Sequence, residues 1–273
     1  MMDDLSPFLN SLYSRYNSEQ FLDSDPVKWV HRFETPIHIE LSAFLSSVFA
    51  FGRVDQIHLV LAKLFEVMGP DPLSFLIEKS EFEINQSVSG IYYRFYTSQD
   101  IGSLLGFLKW HYTESDSLEK LFLIENGQIS GYPLFEKWSF YLLSRKAETF
   151  GTKYMVPDPK KRSASKRMMM FLRWMVRKDE IDLGIWKTIS PDQLLIPMDT
   201  HLSRICFYLG LSNQSSATFK NSVTVTQNLK QFAPDDPVKF DFAISRLGIL
   251  NECPKKRDYY KCQSCMLITV CSR

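Results

Sequence analysis

IELSAFLSSVFAFGRVDQIHLVLAKLF, residues 39–65, reads as two helices in succession. Ile39–Phe51 is apolar nearly all round, the pattern of a helix buried on every side. Beyond Gly52, the residues Val54, Ile57, Leu61, Leu64 and Met68 step by three and four, the spacing of a single helix face, and Gly69-Pro70 ends the run. Similar patterns predict helices near 6–16, 73–79, 88–96, 101–112, 117–124, 133–147, 164–177, 216–231 and 237–248. No sustained period-two alternation with turn signals occurs, so the expected fold is all-α and a sheet is not needed. A loop with two prolines, residues 151–159, separates two of these helices.

The chain has 273 residues, 45% hydrophobic and 23% charged, an ordinary globular composition. No apolar run is long enough to span a bilayer, and MMDDLSPFLNSLYSRY lacks the basic and apolar regions of a secretory signal. A cytoplasmic monomer with no membrane partner is expected. Net charge is +1, but Lys153–Lys178 holds nine basic residues against Asp158 alone, so this segment is +8 and the remainder −7. Such a stripe is the footprint of a phosphate-backbone contact. It is equally the pattern of a solvated helix face.

Four of the five cysteines fall in the last 21 residues, as C-x8-C-x2-C-x5-C: Cys253, Cys262, Cys265 and Cys271. In a reducing compartment such spacing argues for metal over disulfides. Zinc and a [4Fe–4S] cluster both accept four thiolates. Lys255, Lys256 and Arg257 inside the loop would offset the charge of such a centre and meet phosphate. Cys206 falls on an apolar helix stripe and reads as core.

Ser190-Pro191-Asp192-Gln193 has the form of a helix start that Pro197 cuts short. Leu202, Ile205, Cys206 and Leu209 then make a second helical stripe, stopped by Gly210. Asp199 stands at its N-terminus, where by spacing alone a capping role suffices for it or for Thr200.

Three stretches taken together resemble the helix–hairpin–helix (HhH-GPD) DNA glycosylase superfamily, that of endonuclease III and archaeal 8-oxoguanine glycosylase. IPMDTHLSRICFYLGL, residues 196–211, is similar to its P-V-D-T-H-x-x-R-x-x-x-R-L-G-L stretch at Pro197, Asp199, Thr200, His201, Arg204, Leu209, Gly210 and Leu211. The cysteine loop shares the C-x2-C-x5-C ending and follows a similar run, Phe242–Gly248. Residues 39–65 resemble the first core helix and its successor. Across its length the chain is similar to a divergent bacterial branch of that superfamily. The superfamily's hairpin, L-P-G-V-G-x-K-T-A, corresponds to Lys160–Met168, which lacks the glycines, so the hairpin is remodelled.

The resemblance implies a two-domain helical glycosylase-like fold: a central barrel over 36–197, and a discontinuous domain of 1–35 plus 198–273 ending in the cysteine loop. It implies a DNA base-excision repair hydrolase acting on double-stranded DNA, with possible AP-lyase activity. Asp199 would be the catalytic carboxylate and Lys166 a nucleophile or a phosphate grip, the two on opposite walls of one cleft. Lys160, Lys161, Arg162, Ser163, Ser165 and Arg167, with Lys255, Lys256 and Arg257, would bind DNA. The position of the cysteine loop after Asp199 favours a [4Fe–4S] cluster, with zinc the alternative. Two other readings stay open: a non-catalytic DNA-binding protein on the same scaffold, and a helical scaffold with a structural metal site and a protein partner.

Overall fold

The structure, a computed structural model, describes residues 5–125, 128–161 and 163–273, apart from the side chains of Glu125 and Gln128. In chain order its helices are α1 (Ser6–Tyr16), α2 (Pro36–Phe49), α3 (Val54–Met68), α4 (Pro72–Glu78), α5 (Glu81–Ser87), α6 (Ser98–Glu114), α7 (Tyr132–Arg145), α8 (Phe150–Met155), α9 (Lys166–Val176), α10 (Thr200–Tyr208), α11 (Phe219–Leu229), α12 (Asp241–Ile249) and α13 (Tyr259–Gln263). The fold is all-α in class, and one small hairpin of β1 (Leu123–Glu125) and β2 (Gln128–Ser130) departs from the expectation that no sheet is needed. No helix among the described residues is long and apolar enough to cross a membrane.

The chain divides into two compact units, residues 26–161 and residues 1–25 with 162–273. The expected division at 35/36 and 197/198 is therefore shifted, and residues 162–197 belong with the C-terminal part. Buried charge accounts for this. Arg173 of α9 pairs with Asp182 (3.1 Å) and with Asp241 of α12; Arg177 pairs with Asp182, Asp179 (2.8 Å) and Asp236 (2.8 Å). Both guanidinium groups are almost wholly buried, so separating α9 from α12 would strand unpaired charges out of water.

In the unit 26–161, α2 is buried along nearly its whole length, as its composition predicts. Its one charge, Glu40, is accommodated because the carboxylate accepts hydrogen bonds from Tyr112 Oη (2.7 Å), Ser117 Oγ (2.6 Å) and Leu118 N–H (2.8 Å). That recruitment shapes the chain after α6. Where a helix over 117–124 is expected, a short 3-10 turn (Glu119–Leu121) leads into β1, paired antiparallel with β2 with Ile124 opposite Ile129. The expected helix over 88–96 is likewise absent. α5 ends at Ser87, Gly90 turns with φ 83°, and Tyr93 and Tyr96 pair across a tight turn in which Arg94 takes φ 56°. α3 buries Ile57, Leu61, Leu64 and Met68 and stops at Gly69, whose φ of 73° suits glycine.

In the unit 1–25 with 162–273, α1 and α10 each pack on α12. Leu9, Leu12, Phe171, Trp174, Leu202, Cys206 and Phe242 fill its core, Cys206 being plain core as its stripe predicts. Arg246 of α12 is fully buried against Asp25 (2.8 Å).

Candidate functional site

α10 begins where it does because the chain before it is pinned to α11. Ile196 N–H donates to Thr226 Oγ1 (3.0 Å) and its carbonyl accepts from Ser222 Oγ (2.6 Å). Pro197 cannot extend a helix backwards, so Asp199, extended at φ −125°, becomes the cap residue. Its Oδ1 accepts the N–H groups of His201 (2.9 Å) and Leu202 (2.8 Å). Its Oδ2 faces Lys166, the first residue of α9, with Nζ 3.1 Å away. Asp199 thus both caps a helix and holds a cation. The Lys166 and Asp199 side chains are 34% and 20% exposed, so the pair is reachable from solvent. Burial alone would raise the Asp199 pKa; the Lys166 charge and the Leu202 N–H outweigh it and hold the carboxyl below its ordinary range. The two residues expected on opposite walls of an interdomain cleft lie in one unit as a direct ion pair.

His201 is not turned away from the packed side of α10, as its position off the apolar stripe suggests. It lies against Gly248 of α12: a Cβ built at Gly248 would come within 2.6 Å of both Cβ and Nδ1 of His201. That nitrogen is buried and has no hydrogen-bond partner. Gly248 is therefore the contact that lets α10 and α12 approach. Its place at the end of the run Phe242–Gly248 was visible in the sequence; its use was not.

The basic segment does not form one stripe. Arg173 and Arg177 are buried in the aspartate network, and Lys153 pairs with Glu148 (3.2 Å). Lys160 and Lys161 form an exposed 3-10 turn in the unit 26–161, with Lys160 Nζ 3.8 Å from the Tyr132 ring centroid. Arg162 lies outside the described residues. In the other unit, exposed Ser163 pairs with Thr218 through the backbone, and its Oγ is 3.0 Å from Ser165 Oγ. Ser165 precedes α9 with φ 43°, and Arg167 is half-buried beside Lys166. The sequence signal was misleading because two of the aspartates that absorb the arginines, Asp179 and Asp182, fall just past the basic segment, and the other two, Asp236 and Asp241, stand some sixty residues downstream.

The four cysteines near the C-terminus surround a common pocket of about 260 Å³, also lined by Arg257 and Arg273. α10 supports this loop at several points. Arg204 Nη2 donates to the Cys253 carbonyl (2.6 Å), Ser272 N–H to the Tyr208 carbonyl (2.8 Å), and the Arg273 guanidinium lies over the Tyr208 ring. Arg273 also donates to the carbonyls of Pro254 (2.7 Å) and Lys255 (3.0 Å), fixing the start of the loop. Burial pushes the Cys265 thiol up, and the neighbouring Cys253, Cys271 and Cys262 push it the same way. Among the described residues no three His, Cys, Asp or Glu side chains are grouped so as to hold a single metal ion. Lys255, Lys256 and Arg257 are exposed on the loop.

Residues 25–250 match the family described as "Protein of unknown function (DUF2400)", and the chain belongs to that family. No curated protein and no solved structure matches the chain. The match corrects the resemblance to the helix–hairpin–helix glycosylases: both stretches that carried it inside the matched region, residues 39–65 and 196–211, belong to DUF2400, and no glycosylase family is matched. The four cysteines begin at Cys253, beyond the matched residues.

Proposed function

We propose that this chain cleaves the N-glycosidic bond of a damaged base in double-stranded DNA, with Asp199 and Lys166 as the reacting pair. The observation that carries this reading is the 3.1 Å approach of Lys166 Nζ to Asp199 Oδ2 at the starts of two helices, with both side chains partly exposed. A lysine freed of its proton is a nitrogen nucleophile, and the carboxylate beside it is the group within reach to accept that proton. An ionised carboxylate there also stabilises the positive charge that builds on the sugar as a base departs. The chain's own residues balance the step. Asp199 Oδ2 takes the proton from Lys166, Nζ forms a bond to C1′, and the C1′–N bond breaks with its electron pair leaving on the base. The proton held on Asp199 then passes to that nitrogen. Exposed Lys255, Lys256 and Arg257 suit the polyanion.

The four thiols suit a [4Fe–4S] cluster. A single tetrahedral zinc needs its sulfurs about 3.8 Å apart, given a Zn–S bond near 2.3 Å. All four cysteines line one pocket of about 260 Å³, room for more than a single ion. A bound centre would supply folding stability to the loop rather than chemistry to the Lys166–Asp199 pair. Iron content and the visible absorbance of anaerobically purified protein test it; a colourless protein with stoichiometric zinc refutes the cluster.

A second reading has its own support. Asp199 Oδ1 is fully used as a helix cap, so the ion pair can also be a purely structural latch on a non-catalytic DNA-binding protein. Borohydride trapping on abasic duplexes separates the two. Wild type trapped and Lys166→Ala untrapped supports the nucleophile. Equal trapping by both removes that role, and tight, salt-dependent duplex binding without base release by wild type establishes the second reading.

A further inference from the structure

The loop between Cys253 and Cys262 presents more than cations. At its end α13 carries two neighbouring large rings, Tyr259 and Tyr260, 65% and 82% exposed. The short helix that bears them is not loose. Asp258 caps it by accepting the Lys261 N–H (3.0 Å), Lys261 Nζ donates to the Asn251 carbonyl (2.7 Å), and Gln263 Nε2 donates to Tyr259 Oη (2.6 Å). The rings stand edge to face, centroids 5.8 Å apart, so Tyr259 buttresses Tyr260 and the outer ring keeps an open face. Lys255, Lys256 and Arg257 are exposed within five residues of it, and Arg273 holds the backbone carbonyls of Pro254 and Lys255.

We propose that this loop is a stacking platform for unpaired nucleobases: Tyr260, braced by Tyr259, stacks on a base while Lys255, Lys256 and Arg257 hold the phosphates of the same strand. Rings backed by restrained backbone and flanked by cations are the donor set of single-strand recognition, in which aromatic faces take any base and cations track the backbone. A fully paired duplex offers no free base face to Tyr260, so the substrate region meeting this loop is a strand already opened or kinked. The inference deepens the DNA reading above and rests on it for the polyanion, but not on the chemistry of Lys166 and Asp199.

The test compares binding of the full, metal-loaded protein to a short single-stranded oligonucleotide, to the paired duplex of the same sequence, and to that duplex with a three-nucleotide bulge, over a range of salt. Tyr260→Ala is expected to weaken single-strand and bulge binding roughly 5- to 150-fold, the range of one lost base stack. Duplex binding and the salt slope should stay unchanged, and Tyr260→Phe should restore affinity. Lys255→Ala is expected to lower the single-strand salt slope by about 0.7. Unchanged affinity in Tyr260→Ala, or equal loss on duplex and single strand, overturns the platform. So does failure of the wild type to bind the oligonucleotide at low salt. Base release and borohydride trapping, measured separately on damaged duplex, report on the Lys166–Asp199 chemistry. Their failure alongside intact Tyr260-dependent binding would sink the enzymatic reading and leave the platform standing.

Discussion

The two oxygens of Asp199 have different partners, and a pair of substitutions separates what each contributes. Asp199→Asn keeps an acceptor for the N–H groups of His201 and Leu202 and removes the charge opposite Lys166; Asp199→Ala removes both. A partly buried ion pair such as this one contributes on the order of 1 kcal/mol, since solvent screens it only in part. Loss of a helix cap costs about 0.5–2 kcal/mol. Urea unfolding should therefore place Asp199→Asn within about 1 kcal/mol of wild type and Asp199→Ala lower by roughly a further 1 kcal/mol. Base release should respond otherwise: if the carboxylate charge stabilises the departing-base transition state, both variants lose activity alike, on the order of a hundredfold or more for one preorganised group. The informative outcome is Asp199→Asn. If it folds as wild type does and still releases base at the wild-type rate, the charge has no chemical role, and Asp199 is a cap that happens to meet a lysine.

Other consequences are more direct. Gly248→Ala should cost about 1–3 kcal/mol in urea unfolding by overpacking against His201. Because the added Cβ meets His201 Cβ as closely as Nδ1, His201→Ala should fail to relieve that cost and His201→Gly should relieve it. Arg173→Met strands Asp241 without its guanidinium partner and leaves Asp182 with Arg177 alone, so a loss of roughly 3–5 kcal/mol is expected from the urea midpoint. Asp199, held below its ordinary carboxylate value, contributes stability that is full above the unfolded value of about 4 and lost as pH falls through the folded value. Acid titration of unfolding should accordingly be flatter below about pH 4 in Asp199→Asn than in wild type.

How much of this could be read in advance depends on how local the cause is. The α3 stripe and its stop at Gly69 are encoded within sixteen residues, and the structure has both. The start of α10 was equally plain, because Pro197 and an Asp cap act on their immediate neighbours. The tight turn at Tyr93–Tyr96 was not, since Arg94 adopts φ 56° where no glycine stands, although Gly90 just before it marks a break. The hairpin was missed because β1 and β2 are three residues each, too short for an alternating pattern to register, and the loop before them is set by Glu40 from far upstream. Arg173 and Arg177 misled in part for the same reason: Asp236 and Asp241 are distant, and Asp179 and Asp182, though close in sequence, lie just beyond the basic segment and are brought back to it only by the turn after α9. The four cysteines needed no tertiary knowledge to be grouped, only their spacing, whereas Tyr259 and Tyr260 gained meaning only once their exposure was known.

Helical spacing places Lys166, Met170 and Arg173 on one stripe of α9, with Arg177 just past its end, and the cations along it grade from wet to dry. Arg173 and Arg177 have side chains 3% exposed and grip Asp182 from two directions; Lys166, 34% exposed, meets Asp199 at the open end. The buried arginines suffice to fix the register of α9, so the outermost position needs only a cation if its role is structural, and arginine would serve it at least as well. Lysine differs in one property that matters here: its ammonium can lose a proton and its nitrogen can then attack carbon, which a guanidinium cannot do. Lys166→Arg therefore isolates the chemistry. Its stability in urea should fall within about 0.5 kcal/mol of wild type, as expected for a partly exposed pair that is retained. Its salt-dependent affinity for duplex should be unchanged, and its covalent trapping on abasic DNA abolished. Trapping that survives Lys166→Arg would place the nucleophile elsewhere and reduce Lys166 to the last, wettest clasp of a ladder that holds α9 in place.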